Sequence, residues 1–419
     1  MKAPPVRFTP YQVAVVGILA FLQFTVVLDF MILSPLGAIL MRDLGVTPAQ
    51  FGLVVSAYAF SAGLSGLLAA GFADRFDRKM FLLFFYSGFV FGTFLCGLAP
   101  TYPFLLAART VTGLFGGVIG SISLAIVADL FPLEARGRVM GFVMTAFAAS
   151  QVLGIPLGLY LANAWGWHAP FMMIAAVSAV VGLVIFATLR PIKDHLEKPR
   201  DRNPFDHLLA AVVKTRHQWG FASTMLLALG GYMLMPFGSA FSVNNLGIPL
   251  EKLPIIYVAS GVAALFAGPL MGRLSDAVGK YRIFAASSAF AVPIVLYYTH
   301  LGVTPIAGVI ALNIVLFAAI SGRMVSAQAL SSAIPAPTDR GVYMSISSSL
   351  QQLAGGLASS CAGLIVTQTG NGPLKHYERL GYVVAVAIVA TVVMMYRINA
   401  IVMGDMRDIP TPAPAKTAI

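Results

Sequence analysis

The chain is divided almost throughout into apolar blocks of about 20 residues, the length that carries an α-helix across a hydrocarbon core. Short segments between the blocks hold nearly all the charge. Of the 419 residues, 58% are hydrophobic and only 10% charged, with a mean hydropathy of +0.85. A soluble domain has roughly a quarter of its residues charged. The blocks predict about twelve membrane-spanning helices, over residues 11–36, 50–72, 80–99, 103–128, 140–162, 169–189, 217–240, 255–273, 282–300, 303–328, 341–366 and 380–402. A transmembrane β-barrel needs alternating segments about half that long. The first block exceeds the roughly 7–15 apolar residues of a signal peptide and is read as a retained helix. The expected fold class is an all-α polytopic membrane protein.

The net charge of +11 reports topology rather than affinity for nucleic acid, because the basic residues are scattered between apolar blocks instead of forming a stripe. With the N-terminus inside, one side collects Lys2, Arg7, Arg75, Arg78, Lys79, Arg136, Arg138, the basic run from Arg190 to Arg216, Arg273, Lys280, Arg282, Arg340, Arg397, Arg407 and Lys416. The other side has only Arg42, Lys252, Lys375 and Arg379. This asymmetry places both termini in the cytoplasm and the protein in a bacterial-type inner membrane. Cys96 and Cys361 both fall within apolar spans and suggest neither a disulfide framework nor a metal cluster. The histidines His168, His195, His207, His217, His300 and His376 are dispersed, and no phosphate-binding glycine loop is present. These absences argue against an enzyme, a metal or an organic cofactor, and leave an ion or solute gradient as the energy source.

The longest polar connection divides the chain into an N-terminal bundle (1–189), a cytoplasmic linker (190–216) and a C-terminal bundle (217–402), with a disordered cytoplasmic tail at 403–419. Within the linker, Phe205 to Val213 forms either a short interfacial helix or flexible chain. An internal repeat supports the division. Gly71-Phe-Ala-Asp74-Arg75-Phe-Asp77-Arg78-Lys79 follows the second span, and Gly272-Arg273-Leu-Ser-Asp276-Ala-Val-Gly279-Lys280 follows the eighth. Aligning Asp74 with Asp276 also aligns Arg78 with Lys280, the signature of a duplicated six-helix unit.

These loops and the six-plus-six organisation resemble the major facilitator superfamily over roughly residues 11 to 402. The resemblance implies the major facilitator fold, two pseudo-symmetric six-helix bundles working by alternating access. It also implies a cytoplasmic gate at Asp74, Arg75, Arg78, Arg273, Asp276 and Lys280. Asp77 stands where the family usually has glycine. Arg323, near the cytoplasmic end of the tenth span, either joins that gate or anchors the helix at the interface.

Inside the membrane, charge is expensive, so the intramembrane ionisable residues are the first functional candidates. Asp29 is the one carboxylate well inside an apolar span, and Arg109 in the fourth span shares a helical face with Gly113, Gly117 and Ser121. Counting about 1.5 Å per residue sets both near 10 Å from the periplasmic interface. They are expected partners, either a proton-coupling pair or a permanent structural ion pair. The segment Arg109-Thr-Val-Thr-Gly113-Leu-Phe-Gly116-Gly117 resembles the fourth-helix motif of proton-coupled members. In the fifth span, Gly154, Pro156 and Gly158 resemble a compressed exporter motif and are expected to form a bend. From the first half the expected substrate surface takes Gln23, Phe30, Met31, Tyr58, Phe60 and Gln151. From the second it takes Tyr232, Met233, Met235, Asn313 and Gln351, where ordinary packing competes with adaptable binding for each side chain.

The resemblance implies a proton-coupled exporter of a small hydrophobic or amphipathic compound, working as a monomer with protons and lipids as its other partners. Sugar efflux, proton-coupled import, uniport and a non-transporting receptor or assembly protein remain open on the sequence.

Overall fold

The computed structural model describes residues 8–69, 72–193, 196, 204–336, 339–370 and 372–407, excluding the side chains of Asp74, Leu133, 204–207 and 404–407. In the first half, the first span joins α1 (Pro10–Ile32) to α2 (Gly37–Asp43). The second, third and fourth spans are α3 (Pro48–Ala69), α4 (Arg78–Leu98) and α5 (Tyr102–Leu130). The fifth joins α6 (Leu133–Ala149) to α7 (Ile155–Trp165), and the sixth is α8 (His168–Thr188). A connecting helix, α9 (Pro204–Val213), precedes the second half. There α10 (Thr215–Leu234) and α11 (Gly238–Asn244) form the seventh span, followed by α12 (Leu253–Val278), α13 (Lys280–Thr299), α14 (Ile306–Ser331), α15 (Arg340–Ile365) and α16 (Tyr377–Arg407). Among the described residues, 11 helices are long and apolar enough to cross a membrane. The twelfth span is α15, whose serines and glutamines lower its hydropathy while its 26 residues still reach across. The protein is an all-α polytopic membrane protein of two six-helix bundles.

Local chemistry sets the helix ends. Thr9 and Gln12 form a reciprocal capping box ahead of α1, with Pro10 in the first turn. Asp77, the departure from the family pattern, caps α4 by accepting from Lys79 N–H at 2.8 Å and Met80 N–H at 3.3 Å. The last helix continues to Arg407, so residues 403–407, expected to belong to the tail, are helical, and 408–419 lie outside the described residues.

The halves meet mainly along α3 and α15. A Cβ added at Gly52 would stand 2.6 Å from the Ser359 carbonyl, so only glycine permits this approach. Ser56 Oγ donates to the Gly356 carbonyl at 2.8 Å within the same seam. The apolar core is divided unequally by depth. One cluster, containing Ile32, Phe51, Phe237 and Ala362, is shared by both halves at the face opposite the termini. Toward the face carrying the termini, the core splits into one cluster around Leu19, Phe89 and Ile126 and another around Phe284, Tyr343 and Met395. The fifth and eighth spans repeat the pattern. Contact between them is extensive along α7 and α12 and sparse between α6 and α12. The halves are thus packed more extensively at the opposite face than at the terminal face, where α3 still meets α15 through Gly66 and Ser349.

Candidate functional site

The seal begins with breaks in the first helix of each half. After α1 the chain reads Leu33-Ser34-Pro35-Leu36-Gly37, and after α10 it reads Leu234-Met235-Pro236-Phe237-Gly238. Each proline removes a backbone donor and interrupts the regular ladder, and each break is followed by a helix of 7 residues, α2 or α11. The two breaks meet. Ser34 Oγ donates to the Met235 carbonyl, and Ser239 Oγ donates to the Ser34 carbonyl at 2.9 Å while accepting from Ala38 N–H at 3.3 Å. The rings of Phe51 and Phe237 meet edge to face at 5.9 Å below them. This repeated Leu-x-Pro-apolar-Gly pattern was legible in the sequence but obscured by the general tolerance of proline in membrane helices.

Asp29 and Arg109 are in contact. Arg109 Nη1 donates to Asp29 Oδ2 at 2.7 Å, and Thr93 Oγ1 of α4 donates to Asp29 Oδ1 at 3.0 Å. Both charged side chains are essentially inaccessible, with relative exposures of 0% and 1%. The arrangement therefore joins α1, α4 and α5 around one carboxylate whose two oxygens have different donors. Removing either charge strands the other in a dry environment. The Arg109 guanidinium also lies 4.6 Å from the Tyr58 ring centroid on α3, and its Nε has no protein partner among the described residues. Thr93 escaped the sequence reading because a mid-helix threonine ordinarily bonds back to its own helix.

From Tyr58 the contacts run to the other half. Phe30, the chain neighbour of Asp29, packs against Tyr58 at 5.3 Å and against Tyr232 of α10 at 5.8 Å. Tyr232 in turn lies over Gly355, and Phe60 over Gly356, both on α15. Gln23, Gln151 and Gln351 are half-buried. Asn313 Nδ2 donates to the Val309 carbonyl of its own helix at 2.8 Å. Met31 and Met233, expected on the substrate surface, are buried in the shared core, while Met235 contributes its carbonyl to the seal. Helical periodicity identifies a face but does not distinguish an open cavity from a partner bundle.

In the fifth span, residues Ser150–Gly154 form a π-helical turn, immediately before Pro156 near the start of α7. The wider turn accommodates the missing proline donor. Gly154 and Gly158 receive the side chains of Leu28 and Ile32, where an added Cβ would lie within 2.6 Å and 2.4 Å of them. The two glycines thus pack the fifth span on the first, and the irregular backbone lies just upstream.

The expected gate residues separate into three environments. Arg78 is buried and donates through Nε to Asp129 Oδ2 at 3.0 Å and through Nη1 to the Ala73 carbonyl at 3.2 Å. Asp129, at the end of α5, is a partner that sequence spacing did not identify. Arg75, Arg273, Asp276 and Lys280 are exposed, and the Asp74 side chain lies outside the described residues. Arg323 departs from the gate expectation because helix depth fixes its height but not its direction. It is buried inside the second bundle, bonded to Ser288 Oγ of α13 and to Thr391 Oγ1 of α16, the latter at 3.0 Å. It also lies 5.0 Å from the Phe284 ring. The connecting helix α9 is held to the same half, with His217 Nδ1 2.9 Å from the Ala211 carbonyl and Lys214 paired with Asp339.

Comparison with known proteins gives the same architecture. The Major Facilitator Superfamily model matches residues 19–359, with a second match over 221–416. The uncharacterized MFS-type transporter YceJ of Bacillus subtilis (strain 168) is 29% identical over 270 residues, covering 62% of this chain and 66% of that protein. The uncharacterized MFS-type transporter YbcL of the same organism is 26% identical over 375 residues, covering 88% of this chain and 93% of its own. The crystal structure of a bacterial homolog to the human lysosomal transporter Spinster, in an inward-facing and unoccupied conformation, superposes with a TM-score of 0.71 at 18% identity. That superposition covers 97% of this chain and all of the other, and it shows the shared fold. The chain belongs to the Major Facilitator Superfamily and is a multi-pass secondary transporter of small molecules rather than an enzyme.

Proposed function

We propose that this transporter exports a small hydrophobic or amphipathic compound in exchange for protons, with the terminal face cytoplasmic. The observation that carries the reading is the sealed Asp29–Arg109 pair, a contact in which a carboxylate deep in the membrane can exchange charge for neutrality. Burial favours a neutral acid and a nearby guanidinium favours a carboxylate, so a change in the separation or hydration of the pair changes proton occupancy. The surrounding geometry supplies such a change. The same helix that carries Asp29 carries Phe30, which meets Tyr232 across the halves, and the break that seals the opposite face. The sparser packing of the fifth span on the eighth toward the terminal face supports the halves parting on that side during the cycle. The exporter-like Gly154-x-Pro156-x-Gly158 segment supports the same direction, and the bundles at 1–189 and 217–402 are its two moving bodies.

The test is Asp29→Asn in purified, reconstituted protein. The expected result is loss of substrate-induced proton release and of accumulation driven by a pH gradient, while downhill movement survives. Wild-type coupling in the variant at equal abundance would remove Asp29 as the proton carrier.

A further inference from the structure

We infer that the site between the halves selects an uncharged planar aromatic compound with hydrogen-bonding groups, and discriminates against organic cations. The inference rests on the transport reading above and adds the chemistry of what is carried. Its first support is electrostatic. Arg109 retains its charge at all working pH values, so the Asp29–Arg109 pair has net charge zero when Asp29 is ionised and +1 when it is protonated. Neither state is negative. The other deeply buried intramembrane charge, Arg323, is also positive and has only hydroxyl and ring contacts among the described residues. A cation entering the site therefore meets a field that is neutral or repulsive in each proton state, whereas an uncharged compound enters both.

The second support is the arrangement of rings. Asp29 bonds to Arg109, Arg109 covers Tyr58, and Tyr58 packs on Phe30, which is covalently next to Asp29. The circuit closes within the first half and leaves it through the Phe30–Tyr232 edge contact at 5.8 Å. Both rings are half-buried rather than sealed, so this is the point where a flat molecule can replace a ring–ring contact with its own faces. Because Arg109 already occupies the Tyr58 ring, that face is unavailable to a competing cation.

The third support is polar. Gln23, Gln151 and Gln351, from the first, fifth and eleventh spans, are half-buried and have no hydrogen-bond partner among the described residues. Their amides offer donors and acceptors without charge. Stacking between Phe30 and Tyr232 would thus seat the aromatic body, and the neutral amide of Gln351, one turn from the Gly355 that Tyr232 covers, would read its substituents. Tyr58 is the positioning residue through which occupancy reaches Arg109.

Three probes of one shape test the assignment by equilibrium binding to reconstituted protein, without a gradient: 2-naphthamide (uncharged), 2-naphthoate (anionic) and N-methylquinolinium (cationic). We expect saturable binding of 2-naphthamide, about ten-fold or more tighter than the cation. Phe30→Leu and Tyr232→Leu should each weaken it about three- to ten-fold, and Tyr232→Phe, which keeps the ring, should weaken it less than Tyr232→Leu. Tighter binding of N-methylquinolinium or 2-naphthoate overturns the assignment. So does the absence of saturable binding by 2-naphthamide, or indifference to both leucine substitutions at wild-type abundance. Tyr58→Leu should bind 2-naphthamide yet lose binding-induced proton release, and unchanged release would remove its positioning role. Expected probe selectivity without gradient-driven flux would keep the site chemistry and sink the proton-exchange reading, so the two failures are distinguishable.

Discussion

Each half of the protein buries an arginine well inside a span, Arg109 and Arg323, and the two are satisfied in different ways. Arg109 meets a carboxylate at 2.7 Å and the face of Tyr58. Arg323 meets two hydroxyls and the face of Phe284. The first environment can change its net charge by taking a proton and the second cannot. The duplicated architecture therefore combines a switchable first half with a second half of fixed charge, and mutation should expose the difference.

The largest contrast is expected from removing each arginine in turn. Arg109→Leu strands a buried carboxylate, which costs about 3–5 kcal/mol where no other partner is available. Arg323→Met strands no charge and loses two hydrogen bonds from a charged donor and a ring contact. The bonds are worth about 1.5–3 kcal/mol each and the ring contact about 1 kcal/mol, and relief from burying a cation that has no carboxylate partner, several kcal/mol, offsets them. Thermal unfolding in a fixed detergent should show a large loss for Arg109→Leu and little or none for Arg323→Met. Equal losses would mean that Arg323 has a charged partner in a populated state, and the contrast would fail.

The breaks at Pro35 and Pro236 provide a second comparison, because they are equivalent positions that touch. Ser34→Cys with Ser239→Cys, in a Cys361→Ser background, should form a disulfide that holds the opposite face shut. Oxidation should stop flux and reduction restore it, while a reporter cysteine added on the terminal face stays open to an impermeant thiol reagent throughout. Full transport by the oxidised protein would show that these breaks need not part, and hence that the two first helices do not form the outer seal.

The sequence exposed Asp29 and Arg109 because few charges are tolerated in lipid and because helix rise fixes their depth. Their common depth and the fold followed from those constraints and from the apolar periodicity, and their contact is supplied by the packing of α1 on α5. Rotation about the helix axis is a different matter. Arg323 has the depth of a gate residue but points into its own bundle, and Met31 and Met233 occupy a shared core. Asp129 could not be paired with Arg78 from the sequence, since that requires the path of the loop before α4. Thr93 carried no distinguishing pattern at all. Charge and hydropathy thus determine where a side chain lies along the membrane normal, and tertiary packing determines what it meets.

The smallest effects should separate the two gate loops, which are similar in sequence and different in surroundings. Arg78 is buried and bonded to Asp129 in the first half, whereas Arg273, Asp276 and Lys280 are exposed in the second. Asp129→Asn keeps the size of the side chain and removes a charge-assisted hydrogen bond worth about 1.5–3 kcal/mol. It should slow alternating access while leaving membrane insertion intact. Asp276→Asn alters a solvated carboxylate, and its effect on stability should stay within about 0.5 kcal/mol in the terminal-face-open state. Initial rates and the accessibility of cysteine probes at the two faces, both normalised to abundance, measure the difference. If the second loop docks only when the terminal face closes, Asp276→Asn will reduce the closed-state population with unchanged thermal stability of the open state. If both variants leave rates and populations at wild-type values, the loops are headgroup anchors and neither half uses its charges as a gate.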